Sequence, residues 1–431
     1  MARLTIRKTE TLKGDVKAPP SKAYTHRAII AASLSEGTST IMSPLKCFDT
    51  EATIEACRML GAKIKWKKES LLVVSGFSKP KTPNNIINCK ASGSTLRFVT
   101  SLCALANGIS ILTGHRSLRN RPMQPLLDAL NKLGTKCFSA KNDGKPPIIV
   151  LGGGIKGGDT MIVGNISSQF ISSLLFATPK AERETKIRIQ TPLESKSYVE
   201  MTLDVLKKHG IKIEFSSSCD YFTVPSDQEY MPTNHIIEGD YSAAALLLAA
   251  AGITNSKVRI TGLKRQTLQG DKTIVNILKE MGVAISVHED SIEVSGSGGK
   301  LKPINVDLSD SPDLVPVCAV LACFAEGETI INGVRRLRFK ESDRLSALAS
   351  ELGKMGAKIM ANSDSLIIRG EGKLHSAHIY PHKDHRIAMA CAVAALGAKG
   401  ETVIYGIECV KKSYPNFVHD LKVLGGKLLG W

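Results

Sequence analysis

The 431-residue sequence is poor in aromatic side chains, at 5% with two tryptophans. Single-stranded nucleic acid is usually held on stacked aromatic platforms, so this scarcity counts against that partner. No run of five or six consecutive basic residues occurs either, and so no polybasic arm. The ten cysteines contain no C-x-x-C pair, which leaves a zinc site or redox motif without its usual spacing. Several of them (Cys103, Cys318, Cys323, Cys391) lie inside apolar stretches, as reduced, buried thiols of a cytoplasmic protein do. The longest apolar runs, 243–252 and 314–325, fall short of the about 18 residues needed to cross a bilayer. None follows Met1-Ala2-Arg3, so no export signal is expected. A soluble, cytoplasmic chain without metal is the expectation.

Acidic residues are also in deficit: Lys and Arg exceed Asp and Glu by 17. Such an excess suits nucleic acid, an acidic membrane surface or small anionic substrates, and the missing aromatics tip the balance toward small anions. Hydrophobic residues make up 43% and charged residues 23%, which is ordinary globular usage. The length predicts two or three domains at about 100–200 residues each.

A repeat runs through the chain. The segments RMLGAKI, NKLGTKC, KKHGIKI, KEMGVAI, GKMGAKI and KVLGGKL place glycines at 61, 134, 210, 282, 356 and 425, spaced by 73, 76, 72, 74 and 69 residues. Each predicts an amphipathic helix closed by a left-handed glycine and followed by a strand. Upstream in each copy lies an Ala-rich helix that is apolar nearly all round, starting near His26, Arg97, Ser168, Ser242, Pro312 and Arg386. Such helices are buried. Each unit of about 70 residues therefore reads helix, strand, helix, strand, strand. Six units divide into two domains of three, with linkers at Lys17–Pro20 and Tyr230–Thr233. The expected domains are 18–233, and 234–431 joined by 1–17, whose strand 4–8 pairs with the second domain.

Polar and charged residues cluster where these helices begin. The buried helices open with Ser21-Lys22 and Arg27, Ser92-Gly93-Ser94-Thr95 and Arg97, Ser167-Ser168-Gln169, Glu238-Gly239-Asp240, Asp310 with Asp313, and Asp384-His385-Arg386. The second helices open with Asp49-Thr50, Arg121-Pro122, Ser195-Lys196 and Tyr198, Gln269-Gly270-Asp271, Lys340-Glu341 with Arg344, and Lys412. A helix N-terminus offers unpaired N–H groups and partial positive charge, so several converging suit phosphates and carboxylates. Ser, Thr and Asp alone would be ordinary caps; arginine and lysine added repeatedly are not. Three ionisable residues entering a buried helix at 384–386 must be solvated by a cleft or paired. Lys340 and Arg344, four apart on a helix, would share a face and repel, which suggests an anion between them.

At these residues the sequence resembles the 5-enolpyruvylshikimate-3-phosphate (EPSP) synthase family of enolpyruvyl transferases. The matching segments are PPSKAYTHRA, ASGSTLRF, LRNRPMQPLLDAL, GNISSQFISSLL, SKSYVEMTLDVL, EGDYSAAALLLAAA, LQGD, LRFKESDRL and DHRIAMA, in that order. The resemblance implies an α/β fold: a two-domain inside-out α/β barrel of six βαβαββ repeats, three per domain, with helix N-termini facing the interdomain cleft. It implies that phosphoenolpyruvate gives its enolpyruvyl group to the 5-hydroxyl of shikimate 3-phosphate by addition and elimination, releasing phosphate, the sixth step toward chorismate. No cofactor is implied, and a monomer is expected.

Residue by residue, the resemblance implies proton transfer by Lys22, Asp313 and Glu341. It implies phosphoenolpyruvate contacts from Lys22, Gly93, Arg121, Gln169, Arg344, Arg386 and Lys412. The shikimate 3-phosphate side would take Lys22, Arg27, Ser167, Ser168, Gln169, Ser195, Tyr198, Asp313 and Lys340, the first domain mainly serving this substrate and the second mainly phosphoenolpyruvate and the catalytic acids. The arginine fork meets an oxyanion with two parallel hydrogen bonds, which suits both substrates. Domain closure would exclude water. Three positions depart from the family pattern: Ala23 for its usual serine, Pro20 for its usual glycine, and Arg336 where relatives often carry Asn or an acid. Two rivals remain. A UDP-N-acetylglucosamine enolpyruvyl transferase would carry a loop cysteine near the Arg121 motif, where this chain has Pro122-Met123-Gln124. A basic RNA-binding protein would bind any nucleic acid with steep salt dependence.

Overall fold

The six repeat glycines all take positive φ, between 78° and 112°. Each lies two residues beyond the end of a helix, at Met59, Lys132, Lys208, Glu280, Lys354 and Val423. A left-handed residue there turns the chain back toward a strand, and glycine does so without a Cβ clash. A computed structural model describes residues 1–296, 298 and 301–431.

The other six predicted helices form at Lys22–Ser33, Gly93–Leu105, Ser168–Ala177, Tyr241–Ile253, Val315–Cys323 and His385–Gly397. Their side chains are buried on nearly every face, and every residue of Tyr241–Ile253 is buried. Polar side chains cap five of them: Ser21, Ser92, Ser167, Asp240 and Asp384 each accept a backbone N–H of the first turn. The fifth of the series, Val315–Cys323, is led instead by a 3-10 turn at Pro312–Leu314.

The chain divides into two compact units, one of residues 1–19 and 238–431, the other of residues 20–237. Among the described residues, each holds its own apolar core and three four-stranded sheets. All six sheets repeat one pattern: a parallel edge pair followed by two antiparallel pairings. Within unit 20–237, the strand Asn234–Ile236 returns to pair in parallel with Thr38–Met42 and completes the first sheet. In the other unit, Lys13–Lys17 pairs with Lys257–Thr261, and Arg3–Arg7 lies between Glu401–Tyr405 and Leu428–Gly430. These strands come from distant parts of the chain, so each unit is closed by non-local pairing.

All ten cysteines are free thiols and nine are buried. Burial pushes the thiols of Cys57 and Cys103 up to about 12, which leaves them protonated and inert. Among the described residues, no helix is long and apolar enough to cross a membrane.

Candidate active site

In the unit of residues 1–19 and 238–431, Arg344 opens the helix Arg344–Lys354 with a side chain 2% exposed. Asp343 caps that helix, accepting from the N–H groups of Leu345 and Ser346. Three carboxylates meet the guanidinium: Asp384 Oδ2 at 2.9 Å from Nε, Asp313 Oδ1 at 3.2 Å from Nη1, and Glu341 Oε2 at 2.7 Å from Nη2. Burial alone would pull this guanidinium down; the charges of Asp384, Glu341 and Asp313 more than reverse that and hold it well above its ordinary value. Each acid then reaches a second partner. Asp313 Oδ2 lies 2.6 Å from Arg386 Nη2, and Glu341 Oε1 lies 2.6 Å from Lys412 Nζ. Asp384 accepts the N–H of Arg386 at 2.9 Å and so caps the helix that carries Arg386. Three cations and three carboxylates thus form one continuous network.

Lys340 does not share a helical face with Arg344 as the spacing suggested. It sits outside the helix, past the short 3-10 turn Arg335–Phe339, because the cap at Asp343 starts the helix only at Arg344. Loss of hydration pushes the Lys340 ammonium down to about 7; Asp313 opposes this, while Arg336 and Arg344 add to it. Arg336, one of the departures from the family pattern, is buried and donates to the carbonyl of Ser309. Asp271 is buried and pushed up to about 7, first by desolvation and then by Asp313, while Ser242 donates to its Oδ2.

In unit 20–237, Lys22 begins its helix and pairs with Asp49 at 3.2 Å. Arg27 donates from Nε to Thr202 Oγ1 at 2.9 Å, from Nη1 to the Ala23 carbonyl at 3.0 Å and from Nη2 to the Tyr198 carbonyl at 2.8 Å. Its guanidinium also lies over the rings of Phe98 and Tyr198. Burial pushes Arg27 down to about 10 against the opposing pull of Tyr198 and Tyr24. Gln169 is held from both ends: its Oε1 accepts from Arg97 Nη1 at 2.8 Å, and its Nε2 donates to Ser94 Oγ at 2.9 Å. Ser167 caps the helix that Ser168 and Gln169 open. Ser195 precedes the helix Lys196–Lys208 in the left-handed region, at φ 58°. Gly93 has no side chain where Arg121 approaches; a Cβ there would lie 2.5 Å from Arg121 Nη1.

The structure therefore brings Asp313, Glu341, Arg344, Arg386 and Lys412 together, with Lys340 coupled to them. In the other unit it joins Arg27 with Tyr198, Gln169 with Ser167, and Gly93 with Arg121. The sequence marked Asp49, Arg97 and Asp384 at helix starts, and the 384–386 run as needing a cleft or a partner, but gave these three no role in the site. Each sits at or near a helix start already noted, but its partner lies 27 to 72 residues away, beyond the reach of local pattern.

A sequence model described as EPSP synthase (3-phosphoshikimate 1-carboxyvinyltransferase) matches residues 6–421. The chain is 49% identical over 429 residues to the 3-phosphoshikimate 1-carboxyvinyltransferase of Methanocaldococcus jannaschii, covering 99% of both chains. It is 46% identical over 430 residues to that of Methanococcus aeolicus, again covering 99% of both. Among solved structures it resembles EPSP synthase from Acinetobacter baumannii, with TM-score 0.83, 26% identity and full coverage of both chains. The enolpyruvyl transferase NikO from Streptomyces tendae shares the fold, at TM-score 0.81 and 19% identity over 100% of this chain and 99% of that one.

Proposed function

From the premise that the chain belongs to the EPSP synthase family, we propose how its residues carry out that family's reaction. The protein is a transferase of the shikimate pathway: it moves the enolpyruvyl group of phosphoenolpyruvate to shikimate 3-phosphate and releases phosphate. The 5-hydroxyl attacks the central carbon of phosphoenolpyruvate as the methylene carbon gains a proton. Loss of phosphate and of a proton from that carbon then regenerates the double bond.

The observation that carries the residue assignment is the network around Arg344. Arg344, Arg386 and Lys412 are assembled and desolvated but engaged by Asp313 and Glu341. The carboxylate and phosphate of phosphoenolpyruvate take over these cations, with help from Arg121 beside Gly93 and from Gln169. The exchange has a consequence for acid–base chemistry. A carboxylate relieved of a neighbouring cation becomes more basic, so substrate binding turns Asp313 and Glu341 from ion-pair partners into groups able to take and give protons. Lys22, paired with Asp49, is the third proton-transfer group. General acid–base groups of this kind act within hydrogen-bond reach of the reacting atoms.

Arg27 takes the carboxylate of shikimate 3-phosphate, and Ser167, Ser168, Ser195 and Lys340 surround its phosphate. Gln169 and Asp313 hold ring hydroxyls, and Tyr198 lines the ring. Ala23 offers no hydroxyl here, so one contact usual in the family is absent. We read each unit as an inside-out α/β barrel of three repeats, a reading supported by the six identical sheet patterns. One polypeptide carries every residue named, so a monomer working in the cytoplasm suffices.

The reaction is tested with 13C-labelled phosphoenolpyruvate. Shikimate 3-phosphate should acquire the labelled enol ether with one phosphate released per transfer. Replacement by UDP-N-acetylglucosamine should give no product; labelling of that sugar instead would overturn the substrate assignment.

A further inference from the structure

Two consecutive non-glycine residues, His382 and Lys383, occupy the left-handed region at φ 54° and 58°. They immediately precede Asp384, the residue that grips Arg344 and caps the helix carrying Arg386. Both are exposed, so packing of their own side chains does not hold them in this disfavoured conformation. Such strain persists only where neighbours over-determine it, and it concentrates at functional sites.

The N–H of Asp384 donates to the Pro381 carbonyl at 2.8 Å and closes the turn that His382 and Lys383 form, and Glu351 ties that turn to the neighbouring helix. It lies seven residues after Arg344 on the helix Arg344–Lys354, two turns along the same face. Its side chain is 1% exposed, and one carboxylate serves several donors. Oε2 accepts the N–H of Tyr380 at 2.9 Å, and Oε1 accepts from His382 Nε2 at 3.1 Å. Lys354 Nζ lies 2.7 Å from both oxygens, and Ser350 Oγ donates to Oε1 at 3.3 Å. Burial would push the Glu351 carboxyl up, but Lys354, the Tyr380 N–H and His382 outweigh it and keep it below its ordinary value. One helix face thus fixes both ends of the connection Tyr380–Asp384: Glu351 holds its start, and Arg344 holds its end. A buried carboxylate contributes little net stability compared with a well-packed apolar residue, whereas it fixes geometry closely.

We propose that Glu351 is a positioning residue for phosphoenolpyruvate binding, acting through the strained connection at residues 380–383 to set Asp384 and the Arg386 guanidinium. This rests on reading Arg386 as a phosphoenolpyruvate ligand. Glu351 itself touches neither substrate.

The test is steady-state kinetics of Glu351→Gln, Glu351→Gln with Lys383→Gly, and Arg386→Lys, each with its melting temperature. Glu351→Gln should raise KM for phosphoenolpyruvate about tenfold, or about 1.4 kcal/mol. KM for shikimate 3-phosphate should stay within about twofold, since uniform destabilisation would not discriminate between substrates. Adding Lys383→Gly should bring the phosphoenolpyruvate KM back to within about threefold of wild type, because glycine takes positive φ without a clamp. An unchanged phosphoenolpyruvate KM in Glu351→Gln, with Arg386→Lys raising it, overturns the role of Glu351. A parallel shift of both KM values with a lowered melting temperature and no rescue by Lys383→Gly also overturns it. An unchanged value in Arg386→Lys would instead remove the Arg386 assignment. Should Glu351→Gln fail to fold, His382→Ala cuts one of the two bonds without stranding a carboxylate. It should raise the same KM about threefold, and no change there refutes the proposal.

Discussion

Replacing Arg344 by methionine removes a cation that Asp384, Asp313 and Glu341 share. Asp313 keeps Arg386 and Glu341 keeps Lys412. Asp384 is fully buried and would retain the hydroxyl of Ser342 at 3.1 Å and the N–H of Arg386 at 2.9 Å. Breaking a buried pair by deleting one partner costs about 3–5 kcal/mol, because a charge is left in the interior. For a cooperative unit of about 200 residues each kcal/mol lowers the melting temperature by about 2–4 °C, which gives a fall of about 6–20 °C. The relevant unit is residues 1–19 with 238–431, and calorimetry of the whole chain reads its transition. If the cost arises from the stranded charge, Arg344→Met with Asp384→Asn should melt higher than Arg344→Met alone. Asparagine still caps the helix, and removing the orphan charge should return about 1–3 kcal/mol. A fall of under about 2 °C in Arg344→Met, or a further loss on adding Asp384→Asn, would refute this account of the network.

Further predictions follow from neighbouring groups. Lys340 stands at about 7 in the free protein, so binding a phosphate should draw a proton onto it. Between about pH 7.5 and 9, shikimate 3-phosphate binding should take up close to one proton and weaken as pH rises, measured by calorimetry in buffers of different ionisation enthalpy; a flat profile contradicts it. Gly93→Ala should fold normally yet raise KM for phosphoenolpyruvate severalfold, because the new Cβ would lie 2.5 Å from Arg121 Nη1; an unchanged KM would show that Arg121 yields freely. In unit 20–237, His209 Nδ1 lies 2.7 Å from the Met231 carbonyl, which only a donor can satisfy, and its Nε2 lies 2.8 Å from His235 Nε2. Desolvation pushes these imidazoles down to about 4 and about 3. Their unfolded forms take up protons near the ordinary histidine value while the folded forms do not, so stability should fall as pH drops from about 6.5 toward 4. His235→Asn should flatten that acid limb in melting experiments, and an equally steep limb would assign it elsewhere.

Local chemistry made much of the fold legible. The six glycines at the ends of amphipathic runs take the left-handed conformation that the pattern required, and the Ala-rich segments are buried because beyond their first turns they are apolar nearly all round. The clustering of cations at helix starts pointed to Arg344, Arg386 and Lys412. What the pattern could not supply was pairing across distance. Arg344 finds Asp313 and Asp384 at separations of 31 and 40 residues, and no periodicity encodes that choice. The expected helical face shared by Lys340 and Arg344 failed for a local reason: Asp343 caps the helix and excludes Lys340 from it, a signal present in the S-D-R segment, although Arg344 still disfavours the Lys340 ammonium. Glu351 carried no signal in the sequence, because its partners Tyr380 and His382 lie 29 and 31 residues away.

The most direct test of the account is phosphate release by Lys22→Met, compared with wild type in the presence of both substrates and of each alone. Wild type should release phosphate only with shikimate 3-phosphate and phosphoenolpyruvate together. The variant should release none while keeping the melting temperature within about 2 °C, because Asp49 lies in the first turn of the helix Phe48–Met59, where the partial positive charge of the helix start favours a carboxylate. Wild-type rates in folded Lys22→Met would contradict the assignment of that lysine to proton transfer and, with it, the site as drawn.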